Sequence, residues 1–140
     1  SIMTTLPYIT LNTDWRCDYF ETEPSLYEFM DGFDVPVLQA WAFDRRMTEG
    51  WVAWLQRTFD VPPIEDVCVN FVLHIKSAPP GTHLIINGRD FGAVPMPFSF
   101  DVTDYITLED NIIAFRVPCE AGGGFGDVRL RVVPCEMPLD

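Results

Sequence analysis

Residues 67–76, VCVNFVLHIK, constrain the fold more than any other stretch. Val67, Val69, Phe71, Leu73 and Ile75 are apolar, whereas Cys68, Asn70, Val72, His74 and Lys76 between them are mostly polar. A period of two puts one set on each side of an extended chain, which defines a half-buried antiparallel strand. The pattern recurs. Phe98, Phe100 and Val102 alternate with Ser99 and Asp101, and Val128, Leu130 and Val132 alternate with Arg129 and Arg131. Residues 111–117, NIIAFRV, are apolar on both faces apart from Arg116, as a central strand requires. Twelve prolines and nine glycines leave little room for long helices. One helical turn is predicted over 24–32, with Ser25 as N-cap, Glu28 closing a capping box and Gly32 as the stop. Short strands separated by turn signals predict an all-β fold: an antiparallel jelly-roll sandwich of about eight or nine strands with short helical turns.

Local chemistry places the turns. Asn87-Gly88 supplies the positive φ angles of a tight hairpin, and Gly92 allows a second bend. Pro95 and Pro97 mark a strand that starts late or lies at an edge. Asp101, Thr103 and Asp104 have short polar side chains suited to bonding local amides at a strand end. Arg57 shares the parity of Leu55 and Phe59, which face the core. An inward charge demands a partner, and Asp101 or Asp104 is expected to supply it in a buried pair.

At 140 residues the chain makes one domain with a substantial core. Nine Lys+Arg against 21 Asp+Glu give a formal charge of -12, and Lys76 is the only lysine. Such acidity repels phosphate backbones and anionic lipid, so neither nucleic acid nor a membrane is an expected partner. No apolar run approaches the roughly 20 residues of a membrane helix. The N-terminus SIMTTLPYIT has no basic segment followed by an apolar stretch, so no signal peptide is visible and a cytoplasmic location is expected. Cys17, Cys68, Cys119 and Cys135 lack Cys-x-x-Cys spacing and nearby histidines. All four are read as free thiols, mostly buried; a bridge involving Cys17 or Cys135 is the alternative.

Five segments follow one another in a telling order: WVAWLQRTFDVP (51–62), VNFVLHIKSAPPGTHLIINGRDFG (69–92), PFSFDVTDYI (97–106), NIIAFRV (111–117) and GGGFGDVRLRVVP (122–134). The chain resembles the N-terminal sugar-binding jelly-roll domain of family 2 glycoside hydrolases, the beta-galactosidase and beta-glucuronidase group. Residues 51–134 carry the resemblance, and 1–50 correspond to N-terminal strands and loops. The resemblance implies a non-catalytic domain, because in that family a separate (β/α)8 barrel holds the two catalytic carboxylates. A barrel of about 250 residues does not fit in this chain. In the full enzymes the segment between the last two strands can lend a loop to the sugar pocket. Here that segment, 118–127, is glycine-rich, with Glu120 its only acid before Asp127, and no sugar ligand is assigned to it.

Function therefore reads as carbohydrate binding without catalysis, with weak affinity. The alternative is a protein-interaction domain that self-associates or docks on a catalytic partner. No Ser-His-Asp or Cys-His motif appears, and no cofactor is expected. His74 lies on the outward parity of its strand and reads as a solvated surface residue. Asp101, Asp104, Glu109 and Asp110 could supply oxygens to calcium, but local capping is their commoner use. Sugars stack their C–H faces on flat rings while polar groups bond the hydroxyls. Trp41, Trp51, Trp54, Phe91 and Phe125 are candidate rings. The predicted site is Trp54, or Phe91 just past the turn with Asn87, Arg89 and Asp90 in reach of hydroxyls.

Overall fold

The computed structural model describes residues 8–21, 32–44, 46–65, 67–119 and 122–135. The helical turn expected over 24–32 falls almost entirely outside them, as does Glu120. Two antiparallel sheets face each other. The four-stranded sheet contains β1 (Tyr8–Thr10), β10 (Val128–Pro134), β5 (Val69–Ile75) and β8 (Phe98–Asp101), in that spatial order. The six-stranded sheet runs β3 (Phe33–Val37), β2 (Thr13–Phe20), β4 (Val52–Phe59), β9 (Asn111–Pro118), β6 (His83–Ile86), β7 (Arg89–Ala93). The all-β sandwich is thus as expected, with ten strands among the described residues where eight or nine were predicted. Helix is confined to single 3-10 turns at Leu38–Ala40 and Thr103–Tyr105. From β4 onward the chain crosses between sheets at every step except the β6–β7 hairpin.

Alternation explains the core. Phe71, Leu73 and Ile75 of β5 meet Val128, Leu130 and Val132 of β10 on the inner side of one sheet. Opposite them, Ala53, Leu55 and Phe59 of β4 and Ile113, Phe115 and Val117 of β9 complete a single cluster. Trp15 stacks on Phe115 with centroids 5.2 Å apart and donates its indole N–H to the Leu11 carbonyl at 2.7 Å. As predicted, β9 is central, lying between β4 and β6. β8 begins directly after Pro97 and forms a sheet edge, where a missing N–H costs no ladder bond.

Two expectations are overturned. Arg57 does not form a buried pair with Asp101 or Asp104. Its Nη1 donates to the Thr13 carbonyl at 2.8 Å and its Nε to the Thr58 carbonyl at 3.0 Å. Both acceptors are backbone carbonyls, so the half-buried guanidinium is satisfied without an acidic partner. Burial lowers the Arg57 pKa, opposed by the nearby Asp14. Asp101, on the other sheet, accepts instead from the Thr103 amide at 3.0 Å, the local capping predicted for it.

The second concerns the thiols, which are not all free; the alternative of a bridge involving Cys135 holds instead. Cys68 and Cys135 form a disulfide across a sequence separation of 67, with Cα atoms 5.3 Å apart. The adjoining register, Pro134 opposite Val69, brings the two positions together, and the Cys135 amide bonds the Cys68 carbonyl at 2.9 Å. Cys17 and Cys119 remain free. Cys17 is buried, and desolvation pushes its thiol up to about 12 against a smaller lowering by Trp41.

Candidate functional site

The predicted Asn87–Phe91 constellation is a real hairpin. Asn87 and Gly88 have φ values of 48° and 84°, the two left-handed residues such a turn demands. The hairpin leads into β7, the edge of the six-stranded sheet, which flanks β8 on the same side of the sandwich. Phe91 from β7 packs edge-on against Tyr105 at 5.1 Å and Phe100 at 5.8 Å. Phe98 lies 6.0 Å from Phe100, which is 39% exposed. Arg89 lays its guanidinium over Tyr105 at 4.9 Å and over Phe91 at 5.9 Å. The result is an aromatic flank topped by a cation with exposed donors, bridging the two sheets.

Its neighbours have other roles. The Asn87 Oδ1 accepts from the Ile112 amide at 2.8 Å, while its Nδ2 donates to the Tyr105 carbonyl at 2.8 Å and to Asn111 at 3.0 Å. Asn111 is fully buried, and its amide also serves the Thr107 amide at 2.8 Å, the Thr107 carbonyl at 2.7 Å and the Phe59 carbonyl at 3.2 Å. This paired-amide network fastens the hairpin to β9, so both ends of the Asn87 side chain are occupied. Asp90 lies 3.2 Å from His83 Nδ1 and accepts from the Gly92 amide at 2.7 Å. Of the predicted set, Arg89 and Phe91 pack with Tyr105 on this flank, while Asn87 and Asp90 bond within the turn and its neighbours.

The other rings are largely enclosed. Trp54 points outward from β4, as parity requires, yet it is only 3% exposed. It packs with Ile85, Ala114 and Phe20 and donates its N–H to Gln56 at 2.9 Å. Trp54 therefore presents no open face, and it lies in the middle of the sheet, not at the Arg89 flank. Trp41 and Phe125 belong to the core cluster, with centroids 5.9 Å apart, and Trp51 is half-buried.

Two open clefts differ in chemistry. One, of about 380 Å³, is apolar and lies along the β3 edge beside Phe33, Val35, Val37 and Trp41. The other, of about 480 Å³, lies on the outer face of the four-stranded sheet and is lined by His74, Lys76, Asp127, Arg129 and Arg131. There Arg129 donates to Asp127 at 2.6 Å and rests over the Tyr8 ring at 4.8 Å. Asp127 also accepts from Asn12 at 2.8 Å. The bond from Arg129, aided by Asn12, holds the Asp127 carboxyl below the usual range. This cationic face escaped residue-by-residue reading. Its signal was the shared outward parity of His74 with Lys76 and of Arg129 with Arg131. Among the described residues no group of three or more His, Cys, Asp or Glu side chains could hold a metal ion.

The architecture defines a β-sandwich domain of the kind found within family 2 glycosidases. A beta-glucuronidase from an uncultured Clostridium species superposes with a TM-score of 0.69 at 19% identity, covering 96% of this chain and 30% of that one. Bacteroides uniformis beta-glucuronidase gives 0.68 at 20% identity, covering 91% of this chain and 18% of that one. A family 2 glycosyl hydrolase from Bacteroides cellulosilyticus gives 0.62 at 15% identity, with 91% and 21% covered. The likeness is one of fold, and the chain spans under a third of each enzyme's length. No family model and no curated protein matches the sequence.

Proposed function

We propose that this chain is a non-catalytic carbohydrate-binding domain that takes sugars weakly at the Arg89–Phe91–Phe100–Tyr105 flank. The observation that supports it most is the joint one of an aromatic flank carrying free guanidinium donors on a fold shared with part of family 2 glycosidases. Rings receive the C–H face of a sugar, and Arg89 bonds its hydroxyls. One shallow contact of this kind gives a Kd on the order of 0.1–1 mM. The test is a titration of neutral galactosides, glucosides and mannosides followed by amide NMR shifts. Shifts centred on Arg89, Phe91, Phe100 and Tyr105 are expected. Silence of these residues at sugar concentrations well above about 1 mM overturns the assignment.

A protein-docking reading is favoured by one specific observation. The β3 edge exposes Phe33 at 46% and Val37 at 45% beside the apolar cleft, and an open strand edge accepts an added strand. Concentration-dependent mass in solution, abolished by Val37→Lys, would move the assignment there. We place the domain in an oxidising compartment, because the Cys68–Cys135 bridge is at odds with the cytoplasm expected from the N-terminus. No helix among the described residues is long and apolar enough to cross a membrane.

A further inference from the structure

We propose that the outer face of the four-stranded sheet binds an anionic saccharide, a sugar unit bearing a carboxylate or a sulfate. The proposal rests on the carbohydrate-binding reading and gives it a second surface and a substrate class. Cations are scarce in this chain, nine Lys+Arg against 21 acids. Even so, Lys76, Arg129 and Arg131 share one cleft with His74, and Asp127 is the only acid lining it. The ladder creates this gathering. Arg129 stands opposite His74 across β10 and β5, and Arg131 stands opposite Val72 one step along. Arg129 and Arg131, two residues apart on β10, share this face with Lys76, so the three cations add to one positive field. Asp127 offsets Arg129 alone, and Lys76 and Arg131 make no ion pair among the described residues. An oxyanion seated in the cleft would meet that field through forked guanidinium donors and the ammonium of Lys76.

The ligand is a sugar and not a bare anion because of Tyr8. Its ring is 55% exposed at the margin of the same face, on β1 opposite Arg131, with the Arg129 guanidinium against it. A flat ring beside forked donors matches a pyranose, whose C–H face stacks while its charged substituent reaches the cations. The cleft volume of about 480 Å³ falls within the range of small-molecule sites. The charge of -12 on the whole chain works against a long polyanion and favours a short one.

The experiment uses the full chain with three oligosaccharides of similar length: oligogalacturonate for carboxylate, sulfated dextran for sulfate, and unmodified dextran as the neutral partner. Amide NMR and calorimetry are the readouts. At least one charged oligosaccharide is expected to shift His74, Arg129, Arg131 and Tyr8, while dextran leaves them unmoved. The stronger arm identifies the substituent. Raising the salt concentration should weaken binding. Lys76→Glu with Arg131→Glu should weaken it roughly tenfold or more without moving the melting temperature, since both side chains are exposed. Tyr8→Ala should weaken the charged saccharide and leave inorganic sulfate unaffected.

Three outcomes overturn the inference: charged saccharides that leave the face unshifted; a Tyr8→Ala variant with no effect on a ligand that inorganic sulfate equals; or a double variant that abolishes self-association, which makes the face an interface between copies. If neutral sugars meanwhile shift the Arg89 flank, only this inference falls. Silence of every saccharide at both surfaces removes the carbohydrate reading itself.

Discussion

The two sheets differ in what the middle of each turns outward. The six-stranded sheet carries Trp54, Ile85 and Ala114 on its outer side, all nearly as enclosed as the core. The four-stranded sheet carries Tyr8, His74, Lys76, Arg129 and Arg131, open to solvent or half so. Both sets follow from the same alternation. Pointing away from the sandwich interior is therefore not the same as being exposed. An outward Trp amid apolar neighbours serves stability, whereas outward cations on a strongly acidic protein add little to stability and are available for recognition.

The largest effect should come from the enclosed face. Trp54→Ala removes a buried ring and should cost about 3–5 kcal/mol, a fall of roughly 10–20 °C in melting temperature. Tyr8→Ala on the open face should stay within about 0.5 kcal/mol. Equal losses in differential scanning calorimetry would erase the contrast between the faces.

Next is the staple at the end of the β5–β10 pair. Closing a loop across a separation of 67 restricts the unfolded chain, so reduction or Cys68→Ser with Cys135→Ser should cost about 2–4 kcal/mol. Melting with and without reductant measures it. An unchanged melting temperature would show that the open-faced sheet holds its register by core packing alone.

A smaller loss is expected at the hairpin. Asn87→Ala removes contacts to Ile112, Tyr105 and Asn111 and forces a left-handed turn on alanine, which should cost about 1–3 kcal/mol. Asn87→Gly should recover the backbone part of that cost. Equal stability of the two variants would show that the amide network, not the φ angle, fixes the turn beside the aromatic flank.

The smallest effect belongs to Asp127. Its pKa is lower in the folded state than in the unfolded one, so its contribution is present above the ordinary carboxylate range near pH 4. That contribution fades as pH falls through the folded value. Asp127→Asn should thus flatten the acid limb of the stability curve slightly, by no more than about 0.5 kcal/mol for so exposed a pair. An effect as large as that of Trp54 would mean that the cationic face is held together by its ion pair.

Much of this was legible in the chain itself. Alternation in 69–75 and 128–132 assigns the inner side chains of β5 and β10, because side-chain direction in an extended chain depends only on position, whereas Val67 falls before β5 and is exposed. Asn87-Gly88 fixes the hairpin because few residues accept positive φ, and Asp101 caps its own neighbourhood because its side chain is short. These are local constraints, and local sequence determines them. The rest required the strands to be assembled. Trp54 was outward by parity, but only the neighbouring strands, which bring Ile85 and Ala114 beside it, make it buried. Arg57 met the Thr13 and Thr58 carbonyls instead of an aspartate because β4 lies next to β2, not next to β8. Cys68 meets Cys135, and Lys76 and His74 meet Arg129 and Arg131, through the β5–β10 ladder, which joins segments far apart in sequence. Which strands become neighbours is settled by burial of the whole core. The cationic cleft, the disulfide and the enclosed tryptophan therefore belong to the tertiary structure.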